Sequence, residues 1–329
     1  MNDAILKIED LHTHYFSNEG VAKAVDGVSL TVRRGSALCL VGESGCGKTT
    51  VGLSILNLVP YPGRIVGGRV FLDGRELTGM GNEALRRVRG REISMIFQDP
   101  VSGLNPVLPI GVQVEEIISS HLDTSKKESR QRALQVLRRS GLAEPERLMG
   151  MYPFHLSGGM CQRVMIAIAT ALDPKVVIAD EPTASLDVTV QAAILDELNT
   201  LRRERGMSIV LITHDLGVVA QVADDVAVMY AGRVGEEGPV RDIFGRPRHP
   251  YSWGLLQSLP RLDRQRKPLL PIRGAPPPLM DLPPECAFLP RCRKATVTCR
   301  RELAPPLEEI SPGHRLACFN PIYHAEDEE

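Results

Sequence analysis

The run Gly42-Glu43-Ser44-Gly45-Cys46-Gly47-Lys48-Thr49 fits the phosphate-loop pattern G-x-x-x-x-G-K-[ST] at every fixed position. A polyphosphate packs several negative charges into a small volume, and holding it takes many donors that converge there. Glycines let the backbone curl into a nest of N–H groups, and a following helix aims its positive end at the same point. Lys48 is placed to reach the β- and γ-phosphates, and the Thr49 hydroxyl to hold Mg²⁺. The flanks agree. Ser36-Ala-Leu-Cys-Leu-Val41 is a short apolar run suited to a buried parallel strand, and Thr50 to Leu58 can continue as a helix.

The bulk properties narrow the setting. The 329 residues carry 39 basic and 40 acidic side chains, a formal net charge of −1 that argues against a generic nucleic-acid binder. The best apolar stretches, such as Met207 to Thr213, are strand-sized and too short to span a membrane. The start, Met1-Asn-Asp-Ala-Ile-Leu-Lys7, lacks the basic segment and long apolar stretch of a signal peptide. A cytosolic chain is expected, with any membrane role exercised through a partner. Of the seven cysteines, Cys39, Cys46 and Cys161 are isolated, whereas Cys286, Cys292, Cys299 and Cys318 crowd into the last stretch. In a reducing compartment such clustering favours a metal site over disulfides.

Up to about Gly238 the chain alternates short β-branched runs with helical patterns, as an α/β fold with a largely parallel sheet requires. Val176 to Ala179, Ser208 to Thr213 and Asp225 to Tyr230 read as buried strands. Between Asp99 and Leu172 the pattern turns helical, over Gly111 to His121, Lys126 to Ser140 and Gly159 to Leu172, which reads as a helical insertion into the core. Beyond Arg246, Pro260, Pro268, Pro271, Pro276-Pro277-Pro278 and Pro283-Pro284 leave little room for regular helices. With the cysteines inside it, this tail is expected to be an irregular module held by something other than a core. The acidic end, Glu326-Asp-Glu-Glu329, reads as disordered.

Two further constellations carry chemistry. In Val176-Val-Ile-Ala-Asp180-Glu181, four apolar residues bury a strand and Asp180 emerges at its C-terminal end, where it can organise Mg²⁺. Glu181 follows, placed to polarise an attacking water. The plain alternative is a strand that ends in two solvated acids. In Leu156-Ser157-Gly158-Gly159-Met160, Ser157 is a helix N-cap and the two glycines expose amides at a helix start, which makes a second anion site. Its plain alternative is a capped helix and nothing more.

These elements, in this order, with Phe97-Gln98-Asp99-Pro100 between the two anion sites and Thr213-His214-Asp215 after the acid pair, resemble the nucleotide-binding subunits of ABC transporters from about Leu6 to Gly238. The resemblance implies an ABC-type P-loop NTPase core with a parallel sheet, an N-terminal antiparallel β subdomain and a helical subdomain at about 99–172, together spanning 1–245. It implies that Gly42, Glu43, Ser44, Gly45, Cys46, Gly47, Lys48, Thr49 and Thr50 cradle the phosphates of ATP, and that Tyr15 stacks on adenine. Thr49, Gln98 and Asp180 would hold Mg²⁺, Glu181 would be the general base, and His214 would contact the γ-phosphate. Ser157, Gly158 and Gly159 would complete the ATP site of a second subunit, with Ser185-Leu186-Asp187 communicating between the two. The working unit is then a dimer, with an identical or homologous ATPase, that ATP closes and hydrolysis opens. Cys161 departs from the Arg or Gln common in relatives, outside the contact residues.

A finer resemblance, to ATPase subunits of oligopeptide and dipeptide importers and their nickel-uptake relatives, rests on three segments. They are Ile96-Phe-Gln-Asp-Pro-Val-Ser-Gly-Leu-Asn-Pro106, His249-Pro-Tyr-Ser-Trp-Gly-Leu-Leu256, and the tail from Arg273-Gly-Ala-Pro-Pro-Pro through Cys286-Ala-Phe-Leu-Pro-Arg-Cys292. It implies a peripheral subunit on the cytoplasmic face of the cell membrane, two transmembrane permease partners, and an extracytoplasmic solute-binding protein that acts indirectly. Nickel or another small solute as cargo, or a soluble ABC ATPase uncoupled from transport, are the alternatives. Residues 246–329 form the importer-type extension. Its spacing C-x₅-C-x₆-C-x₁₈-C lacks the C-x₂-C knuckle of zinc ribbons, and four thiolates in an irregular segment could instead ligate a [4Fe–4S] cluster, as the resemblance suggests. Zinc and free thiols stay open.

Overall fold

The computed structural model describes residues 3–184, 186–258 and 271–324. Ser185, Pro260, Pro268 and the acidic end lie outside the described residues. The chain opens with strands β1 (Ala4–Ser17), β2 (Gly20–Arg33) and β3 (Ala37–Val41), then helix α1 (Lys48–Ile55). Next come β4 (Gly63–Leu72), β5 (Arg75–Glu76), α2 (Asn82–Val88) and β6 (Ile93–Ile96). A helical stretch follows: α3 (Ile110–Ser119), α4 (Lys126–Arg139), α5 (Pro145–Leu148) and α6 (Gly158–Thr170). Then β7 (Val176–Asp180), α7 (Val188–Arg205), β8 (Ser208–Thr213), α8 (Leu216–Val222), β9 (Asp225–Tyr230), β10 (Arg233–Pro239) and α9 (Val240–Gly245) alternate. The tail holds α10 (Pro250–Gln257), α11 (Val297–Arg301), β11 (Glu308–Ser311) and β12 (His314–Leu316). Two compact units result, each gathered from separate stretches of chain.

The first unit holds Leu72–Leu211 with Val32–Ser36 and the first few residues. Its strands run β8-β7-β6. β6 and β7 pair in parallel from Ile93 opposite Val176 to Ile96 opposite Ala179, so the loops after both strands leave from one edge. Every residue of β7 is buried, as a central parallel strand requires. Helices α3, α4 and α6 pack on one another. α3 buries Ile110, Val114 and Ile118, one apolar stripe of period close to four. α4 begins with a capping box: the Ser125 hydroxyl accepts from the Glu128 amide, and the Glu128 carboxylate accepts from the Ser125 amide at 2.8 Å.

The second unit holds Lys7–Thr31, Ala37–Phe71 and the chain from Ile212 onward. One sheet runs β2-β1-β4, with β1 and β2 joined as a hairpin. In the other, β3 pairs in parallel with β9, and β9-β10-β12-β11 continue antiparallel. The C-terminal extension therefore adds two strands to the sheet that carries β3. It is also pinned by Glu236 of β10, which is fully buried. Burial alone would raise this carboxyl, yet it is held below its ordinary value by His314, Ser252 and the amides of Arg248 and His249. His314 Nε2 lies 2.9 Å away, and the two amides donate at 2.7 and 3.0 Å. The tail is less irregular than its prolines imply. Pro250 sits in the first turn of α10, where its missing N–H would have had no helical partner.

Candidate nucleotide site

In the second unit, β3 ends at Val41 and the phosphate loop runs directly into α1. The loop's glycines answer to close approach. A side chain on Gly47, whose φ is +104°, would collide with the carbonyl of Ala24, and one on Gly42 with the carbonyl of Met229. Lys48, only 6% exposed, turns its ammonium onto the loop itself and donates to the carbonyls of Gly42 at 2.7 Å and Glu43 at 3.0 Å. Cys46 is buried beside it, and burial raises its thiol above the ordinary value. Ser44, Gly45 and Thr49 are exposed, while Gly42 and Thr50 are buried.

Tyr15 lies on the face of β1 shared by Leu11 and Thr13. The Thr13 and Ser54 hydroxyls meet at 2.8 Å, so that face turns toward α1. The Tyr15 ring packs where Gly63 leaves room: a Cβ there would stand 2.6 Å from the ring. His214 is exposed just after β8, and the next residue, Asp215, caps α8 by accepting from Gly217 at 2.8 Å.

The first unit holds the acids. Asp180 is 2% exposed at the end of β7. Glu181 takes a left-handed backbone with φ +44°, which costs a side-chain-bearing residue about 1–2 kcal/mol. Strain of this kind, kept at a strand end beside a buried carboxylate, points to function. Gln98 donates its amide to the Glu181 carboxylate at 3.0 Å, so these two sequence-predicted residues are brought together. Ser157 caps α6, its hydroxyl accepting from Met160 at 3.3 Å. Gly159 packs so closely on Val190 that a Cβ would stand 3.1 Å from its methyl, and Gly158 faces Leu186. Asp187 is already committed: it caps α7 through the amides of Thr189 and Val190 at 3.1 and 3.0 Å.

Two residues that sequence reasoning quoted without giving a role reach the phosphate loop. The Tyr251 hydroxyl accepts from the Glu43 amide at 2.8 Å, and Arg291 holds the Glu43 carboxylate at 2.5 and 2.9 Å. The four tail cysteines line one small apolar pocket with Phe288 and Phe319. Around a single tetrahedral zinc the sulfurs would lie about 3.8 Å apart. Among the described residues, the compact group of single-ion size is instead His12, His14 and Asp26, whose donor atoms lie within 4.8 Å of one another. There Arg233 already occupies the Asp26 carboxylate, at 2.6 and 2.9 Å.

The ABC transporter family matches residues 25–184, and the family of the oligopeptide/dipeptide transporter C-terminal region matches 236–299. The oligopeptide transport ATP-binding protein OppD of Escherichia coli K12 is 46% identical over 320 residues, covering 97% of this chain and 94% of that protein. The dipeptide transport ATP-binding protein DppD of Bacillus subtilis 168 is 44% identical over 318 residues, 96% of this chain and 95% of its own length. Among solved structures, the dimeric ATP-binding cassette MJ0796 bound to ADP and Pi superposes with a TM-score of 0.65 at 30% identity, over 72% of this chain and 99% of that one. Aligned nearly end to end with such relatives, the chain belongs to the ABC transporter family, among the ATP-binding proteins that carry the oligopeptide/dipeptide transporter C-terminal region.

Proposed function

We propose that this protein is the ATP-hydrolysing subunit of an importer for oligopeptides or dipeptides, and that ATP drives closure of a dimer it forms with a like subunit. The observation that carries the reading is the match at 236–299, because the ATPase motifs alone would fit any cassette. Two multi-span permeases would be the membrane partners, with a solute-binding protein acting from the far side. The subunit would take a peripheral place on the cytoplasmic face of that membrane. No helix among the described residues is long and apolar enough to cross a membrane. The catalytic cassette would occupy 1–245 and the extension 246–329.

In this reading the loop Gly42–Thr50 binds the phosphates, and Lys48 leaves its own carbonyls to meet the β- and γ-oxygens. Thr49, Gln98 and Asp180 would be the residues to hold Mg²⁺, which would supply charge neutralisation for the phosphates. Glu181 orients the attacking water and takes its proton, with Gln98 fixing the carboxylate from the side. His214 steadies the γ-phosphate, and Tyr15 stacks on adenine. Ser157, Gly158 and Gly159 present a helix N-terminus to the ATP of the other subunit, near Asp187 at the start of α7. The test is Glu181→Gln: ATP turnover should collapse and an ATP-bound dimer accumulate, whereas hydrolysis at the wild-type rate contradicts the assignment.

For the tail we propose that Cys286, Cys292, Cys299 and Cys318 together hold one iron–sulfur cluster. Support comes from the donor set, four thiols that line one small apolar pocket. Such a group would staple the segment and needs no redox role. Protein purified without oxygen should be coloured and contain iron; colourless, iron-free protein with four titratable tail thiols would rule it out.

A further inference from the structure

Every polar group of Glu43 is already taken. Its carbonyl accepts from Lys48 at 3.0 Å, inside the loop. Its other two groups are held by the C-terminal extension. The amide donates to the Tyr251 hydroxyl at 2.8 Å, and both carboxylate oxygens receive Arg291, at 2.5 and 2.9 Å.

Both extension residues are themselves firmly set. Tyr251 is fully buried, and its ring meets those of Tyr230 and Phe288 at 4.7 and 5.3 Å. The Arg291 side chain is 5% exposed and uses all five of its N–H donors. Besides Glu43 these go to the Tyr230 hydroxyl at 3.2 Å and to the carbonyls of Arg273 and Gly274 at 2.9 and 3.1 Å. A guanidinium is the only side chain with enough donors in a rigid fork to fill this position. Arg291 closes the short turn Leu289–Arg291, immediately before Cys292.

We propose that Tyr251 and Arg291 are positioning residues for the phosphate loop: the C-terminal extension braces Glu43 so that the loop's amides stand ready for phosphate before nucleotide arrives. A loop that must order itself on binding spends part of its affinity on that ordering, and a braced loop does not. The extension thereby sets nucleotide affinity in addition to any role it has toward the transporter. The proposal rests on the reading that this loop binds ATP.

The test uses the full chain with Tyr251→Phe, Arg291→Met and Arg291→Lys. Hydrogen exchange over residues 42–48, measured without nucleotide, reads the brace; Kd for ATP·Mg²⁺ reads its consequence. Arg291→Met should speed exchange and weaken binding about tenfold or more, with Arg291→Lys recovering part because it keeps the charge but fewer donors. Tyr251→Phe, which keeps the buried ring and decides the matter if Arg291→Met does not fold, should weaken binding by about threefold to tenfold. Unchanged exchange in the folded variants, or faster exchange with Kd within twofold of wild type, overturns the proposal. If the unaltered chain fails to bind ATP, the proposed function falls instead, and exchange over 42–48 still decides whether the extension holds the loop.

Discussion

Glu181 stands at φ +44° on the end of β7 and accepts a hydrogen bond from Gln98, so its carboxylate is held by strained backbone on one side and an amide on the other. Glu181→Gln changes neither length nor backbone preference and removes only the charge and basicity. Hydrolysis should therefore fall by at least about a hundredfold, the usual contribution of a positioned general base, while ATP is still bound. A fall in binding of the same size would place Glu181 in ground-state contacts and remove it from proton transfer. The acid pair was legible because four apolar residues followed by two acids mark a strand end. The Gln98 partnership was not, because it depends on β6 and β7 being neighbours in the sheet.

At the scale of elements, α6 and α7 are tied by Arg163 and Glu197, 2.5 Å apart. Burial raises the Glu197 carboxyl from 4.5 to about 7, with Arg163 pulling the other way. Burial prevails because one Glu197 oxygen is enclosed without a hydrogen-bond partner. A carboxyl raised on folding contributes stability that is full below its unfolded value and is lost as pH climbs through the folded one. The first unit should thus lose about 3 kcal/mol between roughly pH 4.5 and pH 7 from this group alone. Denaturant melts of Glu197→Gln against wild type should show that slope vanish; equal slopes would mean the pair stays ionised throughout. Helices α3, α4 and α6 were legible within two residues at each end, since their apolar periodicity is a local signal, whereas α5 and α7 were not read from the sequence. Strands β8 and β9 fall on their expected bounds. α1 starts earlier than its apolar pattern, at Lys48, because the phosphate loop already supplies its first turn. α10 and the β11–β12 hairpin escaped notice: proline content masked them, and their strand pairing with β10 joins segments far apart in sequence.

For the molecule as a whole, the motifs identified a cassette ATPase, but nothing local linked its phosphate loop to its tail. Glu43 and Arg291 are 248 residues apart, and a contact of that span leaves no periodic trace in a single sequence. The tail is also what separates this chain from cassettes in general, through the matched region at 236–299. The central claim, a peptide-importer subunit, is therefore a claim about partners. The direct measurement is capture of the full-length tagged chain from gently solubilised native membranes, with every co-purifying protein identified by mass. Two multi-span permease subunits in stoichiometric amounts are expected, together with a second ATP-binding subunit or another copy of this chain. Recovery of the protein only as a dimer in the soluble fraction, with no permease, would contradict that claim.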